Sequence, residues 1–291
     1  MKRRIVLILI AVIALILALG IALYPLLSNL YMERHQSQIH TQYMNEIQST
    51  DDSTLRDAKA FAQSYNSTLS SGIVSNNSFS KDSLATAANG YDTMLNVTGR
   101  GIMGYVSVPK INVTLPIYHG TDSRTLESGI GHLFGSSLPV GGESTHAVLT
   151  AHSGMASQRM FSDLPQLVVG DVFYLEVLDE VLAYQVDQIK TVLPHDTTYL
   201  GITSGEDMCT LVTCTPFGVN SHRLLVRGSR IPYEKAESII QQQEKSKTTT
   251  PLTWETEYLK GIIAGLGIFV LVLTILLIIR RMRRRRREKA K

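Results

Sequence analysis

Residues 208–231 read MCTLVTCTPFGVNSHRLLVRGSRI, and this stretch decides the fold. Residues 209–214 and 222–231 are rich in β-formers and read as two strands. Between them, residues 215–220 hold Pro216, Gly218 and Asn220, residue types that reverse a chain. A hairpin of this kind lays Arg223 beside Cys214.

Working outward, further short β-rich runs fall at residues 104–108, 115–118, 146–151, 172–177 and 182–192. Turn signals separate them at Gly120-Thr-Asp, Gly141-Gly142, Gly170-Asp171, Leu178-Asp-Glu and Ser204-Gly205. Many short strands at close spacing predict a mainly β domain, a closed or nearly closed barrel. Residues 157–164 are expected to supply a short helix between strands. Upstream, residues 31–71 are polar with helical periodicity (Tyr43, Ile47; Leu55, Ala58, Phe61, Ala62) and read as a stalk, not a core. Residues 70–90 are loop-like, with Phe79 as their only large aromatic before Tyr91.

Two runs near the ends carry no charge: residues 5–23 (IVLILIAVIALILALGIAL) and 261–279 (GIIAGLGIFVLVLTILLII). A hydrocarbon core about 30 Å thick needs about 20 helical residues, so each is expected to span a bilayer. A signal h-region stops at about 15 residues, which favours an uncleaved anchor for the first run. Lys2, Arg3 and Arg4 precede the first run; Arg280, Arg281, residues 283–287, Lys289 and Lys291 follow the second. Set aside, these cations leave an acidic middle. Cations against a span obey the positive-inside rule and contact anionic lipid, so no nucleic-acid partner is expected. Both termini are then cytoplasmic and the middle lies outside the cell. The expected organisation is a basic end and anchor over 1–30, a helical stalk and loop over 31–100, and the barrel over 101–233. A connector over 234–257, a second span over 258–279 and a basic tail over 280–291 complete it.

Only two cysteines occur, Cys209 and Cys214, in a segment expected to face an oxidising compartment. Five residues along a strand cover about 16 Å and put the side chains on opposite faces. A disulfide needs Cα atoms within about 7 Å, so these two do not bridge within an intact strand.

A free thiol and an imidazole at their ordinary pKa values form the ion pair in only about one per cent of molecules at neutral pH. A thiol nucleophile therefore needs a neighbouring proton acceptor or cation, and acyl transfer also needs a donor aimed at the developing oxyanion. Cys214 ends one strand; His152 ends another (Ala147-Val148-Leu149-Thr150-Ala151-His152); Arg223 begins a third, with Arg227 on the same strand face as its rival. Taken singly, Cys214 reads equally as a small buried residue, His152 as a packed histidine and Arg223 as a surface charge. No spacing suits a metal ion, and no cofactor is expected.

Together the residues resemble the sortase family over residues 90–232. Thr210-Leu-Val-Thr-Cys214 is similar to its Thr-Leu-any-Thr-Cys nucleophile string; Thr150-Ala151-His152 is similar to its strand-end histidine, and Arg223 to its arginine. The longer strings Val108-Pro-Lys-Ile-Asn112, Leu115-Pro-Ile-Tyr-His-Gly120 and residues 215–228 resemble the pilus-building class C sortases. The resemblance implies an eight-stranded barrel and a two-step transpeptidation. Cys214 would take the acyl group of an LPXTG-like sorting signal at Thr–Gly as a thioester, and a pilin lysine would accept it. His152 would be general acid and base, Arg223 the oxyanion and substrate stabiliser, and Thr213 a substrate contact beside the thiol. Class C sortases also carry a lid with an Asp-Pro-aromatic tripeptide. Here the corresponding stretch is Ser75-Asn76-Asn77-Ser78-Phe79-Ser80, which retains only Phe79. A lid held by Phe79 and an ordinary loop both fit.

The alternatives are an enzyme attaching single surface proteins to cell-wall precursor, a thiol endopeptidase, and a non-catalytic surface protein. His119, His132, His146 and His222 are expected to make structural hydrogen bonds.

Overall fold

The hairpin forms where the sequence places it. Strand β7 (Asp207–Thr215) pairs antiparallel with β8 (His222–Ile231) over eight residue pairs, from Met208 opposite Ser229 to Thr215 opposite His222. The structure, a computed structural model, describes residues 2–69, 90–153, 158–246 and 254–288. Phe79 lies outside the described residues.

Eight strands close a barrel in the order β1-β2-β3-β4-β7-β8-β6-β5. The others are β1 (Ile102–Val108), β2 (Val113–His119), β3 (Ile130–His132), β4 (Thr145–Thr150), β5 (Val172–Val177) and β6 (Glu180–Val192). Two neighbouring pairs are parallel, β2 with β3 and β4 with β7; all other neighbours are antiparallel. The β1–β2 link is a 3-10 turn at Pro109–Ile111, closed by Asn112 in the left-handed region. Strand β3 was not among the expected strands. It holds three residues, one of them Gly131, whose added Cβ would lie 2.3 Å from the Gly120 carbonyl oxygen. The close approach of two backbones, not side-chain propensity, makes this strand.

Alternation along the strands sorts two apolar groups. Ala147, Leu149, Cys209, Leu211, Leu224 and Val226 join the main core inside the barrel. Val148, Val192, Val212 and Leu225 point outward and form a smaller cluster with Leu133 and Leu200. β7 is therefore buried on both faces.

Residues Ser28–Ser246 form one compact unit. The expected free stalk is part of it. Helix α1 (Lys2–Ser49) brings Tyr43 and Ile47, and helix α2 (Asp52–Thr68) brings Leu55 and Ala62, into the barrel's own core. Asp51 caps α2 by accepting from Ser53 N. Polar contacts fix both helices. His40 Nε2 lies 2.7 Å from Glu176 Oε2, Lys59 pairs with Glu180, and the Asn66 amide both donates to Leu138 O and accepts from Leu138 N. The few apolar residues of this stretch fall on one helical face each, which was enough to bury it.

Helix α3 (Ser123–Ser128) links β2 to β3. Of the helix expected over 157–164, the described residues form turns that lead into a 3-10 turn at Leu164–Gln166. Helix α4 (Tyr233–Ser246) occupies much of the expected connector, burying Ala236 against Val172, Tyr174 and Ala183.

The second unit comprises Met1–Leu27 and Lys247–Lys291. It holds the start of α1 and helix α5 (Trp254–Glu288), and Tyr258 Oη donates to Ala22 O at 2.9 Å. Among the described residues one helix, in α1 from Leu15, is long and apolar enough to cross a membrane; the described apolar run in α5, Tyr258–Phe269, is shorter. Of the two expected spans, one is supported.

Candidate active site

The three candidate residues meet at one end of the β4–β7–β8 wall. Cys214 and Arg223 are directly paired in the β7–β8 ladder. Opposed residues of such a pair have Cβ atoms about 5 Å apart. On the other side of β7, the parallel ladder with β4 runs to Thr150 opposite Val212, and Ala151 N extends it by donating to Val212 O at 3.1 Å. That register carries His152 alongside Cys214. The order across the wall is histidine, cysteine, arginine.

Two hydroxyls stitch this corner. Thr213 Oγ1 donates to Ala151 O at 2.8 Å, and Ser153 Oγ donates to Cys214 O at 2.7 Å. Phe161 N donates to His152 O at 3.0 Å, so the backbone of His152 is held from both sides. Thr213 departs from its expected role. It is 1% exposed and its hydroxyl is spent on a carbonyl, so it is a clamp between strands and not a surface for substrate. Neighbouring strand residues point to opposite faces; where Cys214 points out, Thr213 points in. Ser153 is a residue that sequence reasoning missed, because a serine after a strand carries no signal of its partner.

The site sits on the outer face of the barrel wall, at the ends of its strands. Cys214 shares the parity of Val212 in the outer cluster, whereas Cys209 is 0% exposed inside the barrel. Both cysteines are free. Cys214, His152 and Arg223 are all partly exposed. Burial drives the Cys209 thiol pKa well up and keeps that sulfur protonated.

Arg223 and its rival Arg227 separate cleanly. Arg227 is opposite Thr210, four residues away from the site end, and forms a two-pronged ion pair with Asp187. Arg223 Nη1 donates to Asn220 O at 3.3 Å and His222 O at 3.1 Å. Among the described residues it forms no ion pair, which leaves guanidinium donors for an incoming oxygen.

The other histidines are structural. His132 is fully buried, with Nδ1 2.7 Å from Tyr91 Oη and Nε2 2.9 Å from Ser137 O. Burial lowers its pKa to about 4. His119 and His146 are also lowered by burial and bond to Met94 O and Gly201 O. His222 meets the hydroxyl of Ser221.

A reachable thiol flanked by an imidazole and a guanidinium, on a closed barrel, is the equipment of a cysteine acyl-transfer site. Residues 106–231 match the sortase domain. The solved sortase C of Streptococcus pneumoniae is 45% identical with a TM-score of 0.60, over 67% of this chain and 97% of that one. Sortase C-1 of Actinomyces oris is 45% identical with a TM-score of 0.56, over 61% and 99%. Among curated relatives, sortase D of Bacillus subtilis (strain 168) is 31% identical over 44% of this chain and 63% of its own length. Sortase A of Streptococcus agalactiae is 29% identical over 39% and 47%, so the chain spans about half to three fifths of the curated relatives it matches. The chain belongs to the sortase family, whose members are cysteine transpeptidases, and its solved neighbours are class C sortases.

Proposed function

We propose that the chain is a membrane-anchored transpeptidase that cleaves an LPXTG-like sorting signal at Thr–Gly and joins it to a lysine amine of a pilin subunit. The observation that carries this reading is the ladder position of Cys214, paired with Arg223 on one side and flanked by His152 on the other.

The Cys214 thiolate attacks the threonine carbonyl carbon, and the carbonyl electron pair moves onto oxygen, where Arg223 stabilises it. The C–N bond to glycine breaks as protonated His152 gives its proton to the departing amine, leaving a thioester on Cys214. The acceptor amine then attacks the thioester carbon, passes a proton to His152 and expels the thiolate. Two proton transfers of opposite sense return the site to its starting state. Thr213 and Ser153 keep the strand ends of His152 and Cys214 in step.

The pilin acceptor rests on relatives. The Streptococcus pneumoniae sortase C is described with pilin substrate specificity, and a Group B Streptococcus sortase C as pilus-related. In this reading residues 1–30 and 258–279 are spans, 280–291 a basic cytoplasmic tail on anionic lipid, and 101–233 the catalytic barrel outside the cell. The second span rests on the charge-free run 261–279 and the cations that follow it in the sequence.

The test uses the full chain in detergent with an LPXTG-like peptide, with and without a lysine-bearing acceptor. A covalent adduct on Cys214 and a ligated product are expected, both lost in Cys214→Ala. Release of the free acid alone, with acceptor in excess, makes it a hydrolase. No cleavage rejects the reading.

A further inference from the structure

The chain enters and leaves the unit Ser28–Ser246 at one end of the barrel, where β1 stops and β2 and β5 begin. Asn29 and Met32, just past the start of the unit, line a cavity together with Asn112 and Val113, where β2 begins. Gln243, in the last turn of α4, donates through Nε2 to Asp171 Oδ1 at 3.0 Å. Lys110 Nζ lies 2.7 Å from Asp171 Oδ2. One buried carboxylate therefore ties the β1–β2 turn, the start of β5 and the end of α4 together.

The same end carries an apolar tip. Val168 and Val169 stand side by side in the turn before β5, 55% and 63% exposed. Single exposed apolar side chains are ordinary, but an adjacent pair crowning a turn makes a small apolar surface. The polar groups of that turn point inward. Val168 N donates to Asp171 Oδ2 at 2.7 Å, Gly170 N to Val186 O at 2.8 Å and Asp171 N to Val168 O at 3.1 Å. Backbone N–H groups already bonded within the protein lose little when water is withdrawn, and Lys110 offsets the Asp171 charge beneath them.

We propose that Val168 and Val169 rest in the interfacial layer of a lipid bilayer, and that this contact holds the barrel at a fixed tilt over the membrane. This rests on the membrane-anchored reading, in which the apolar runs 5–23 and 261–279 flank the unit in sequence and its two exits mark the end turned to lipid. Two valines bind a free bilayer weakly. An anchor holds them at high effective concentration, so a small gain is enough to select one orientation. β6 runs from Val186, which bonds Asp171, on to Val192 opposite Arg223. The catalytic strand ends thus lie toward the same end, and the tilt sets the height of Cys214 above the lipid.

The test uses the full chain with Cys214→Ala, which leaves only the buried Cys209, in vesicles of phosphatidylcholine and phosphatidylglycerol. An environment-sensitive thiol fluorophore is attached through Val168→Cys, Val169→Cys or, as reference, Phe61→Cys. Phe61 is 55% exposed on α2, whose Lys59 pairs with Glu180 at the opposite end of β5 from the tip. At positions 168 and 169 the emission is expected to shift to the blue, and spin-labelled lipid to quench it severalfold more than at 61. Equal quenching at all three positions overturns the proposal. So does a blue shift at 168 and 169 that spin-labelled lipid leaves unquenched, which would mean that protein covers the tip. Vesicle flotation separates this contact from the reading beneath it. Chain that floats without quenching loses the tip contact alone, whereas chain left in the dense fraction loses the anchor as well.

Discussion

Cys214 and Arg223 face each other as a directly opposed pair of the β7–β8 ladder, and Arg227, the other arginine on that strand face, is held four residues away by Asp187. Distance along the strand therefore gives the two arginines different surroundings, and different losses are expected on removing them. Removing an oxyanion donor costs about 10²–10³ in kcat, and that loss is expected for Arg223→Ala. Arg227→Ala removes a partly exposed ion pair and is expected to change stability by about 0–1 kcal/mol, with peptide turnover near the parent's. Steady-state kinetics of the two variants check this; equal loss of kcat in both would remove Arg223 from its role.

The two thiols differ in face, and so in reactivity. One equivalent of iodoacetamide is expected to label Cys214 in the folded protein, with Cys209 reacting only after denaturation. Peptide mapping by mass spectrometry reads the sites. Comparable labelling of Cys209 under native conditions would mean that the strand does not keep its alternation.

Thr213 turns from a substrate contact into a clamp, and the two roles predict different losses. Thr213→Val leaves Ala151 O without its donor in a buried place, a cost of about 1–3 kcal/mol. For a unit of this size that lowers the melting temperature by about 3–10 °C. Thr213→Ser is expected to recover most of it. A variant that keeps its melting temperature and loses only peptide affinity would restore the substrate-contact reading.

The hairpin and the position of Cys214 opposite Arg223 were legible because short-range rules write them. The bounds of β8 coincide with the β-rich run, and an odd spacing put Cys209 and Cys214 on opposite faces. Parity also places the site on the outer wall, which the strand-end positions alone did not distinguish from the barrel's mouth. What could not be read depends on distant partners. Strand β3 exists because Gly131 lets two backbones meet. Tyr43 and Ile47 are core residues because a barrel lies beside their helix, a fact no window on α1 contains. Thr210 and Thr213 stand three positions apart in one short string, yet one serves His146 and the other Ala151.

His132 supplies the pH dependence of stability, and its sign follows from burial. Its ordinary pKa of 6.5 falls to about 4 in the folded protein, because the ring is fully enclosed and no carboxylate offsets the loss of water. Above pH 6.5 the ring is neutral in both folded and unfolded chains, and the stabilisation is fully present. As pH falls below 6.5 the unfolded chain binds a proton that the folded chain refuses, so stability declines until the folded ring also titrates near pH 4. A difference of that size corresponds to about 3 kcal/mol. His119 and His146, lowered by the same cause, act in the same direction. The measurement is thermal unfolding of the parent and His132→Gln between pH 7.5 and 4.5. The variant starts lower, since Tyr91 and Ser137 lose their partner, but it is expected to lose less on acidification than the parent. Parallel decline of the two curves would show that another group sets the acid limit, and that His132 binds its proton as readily folded as unfolded.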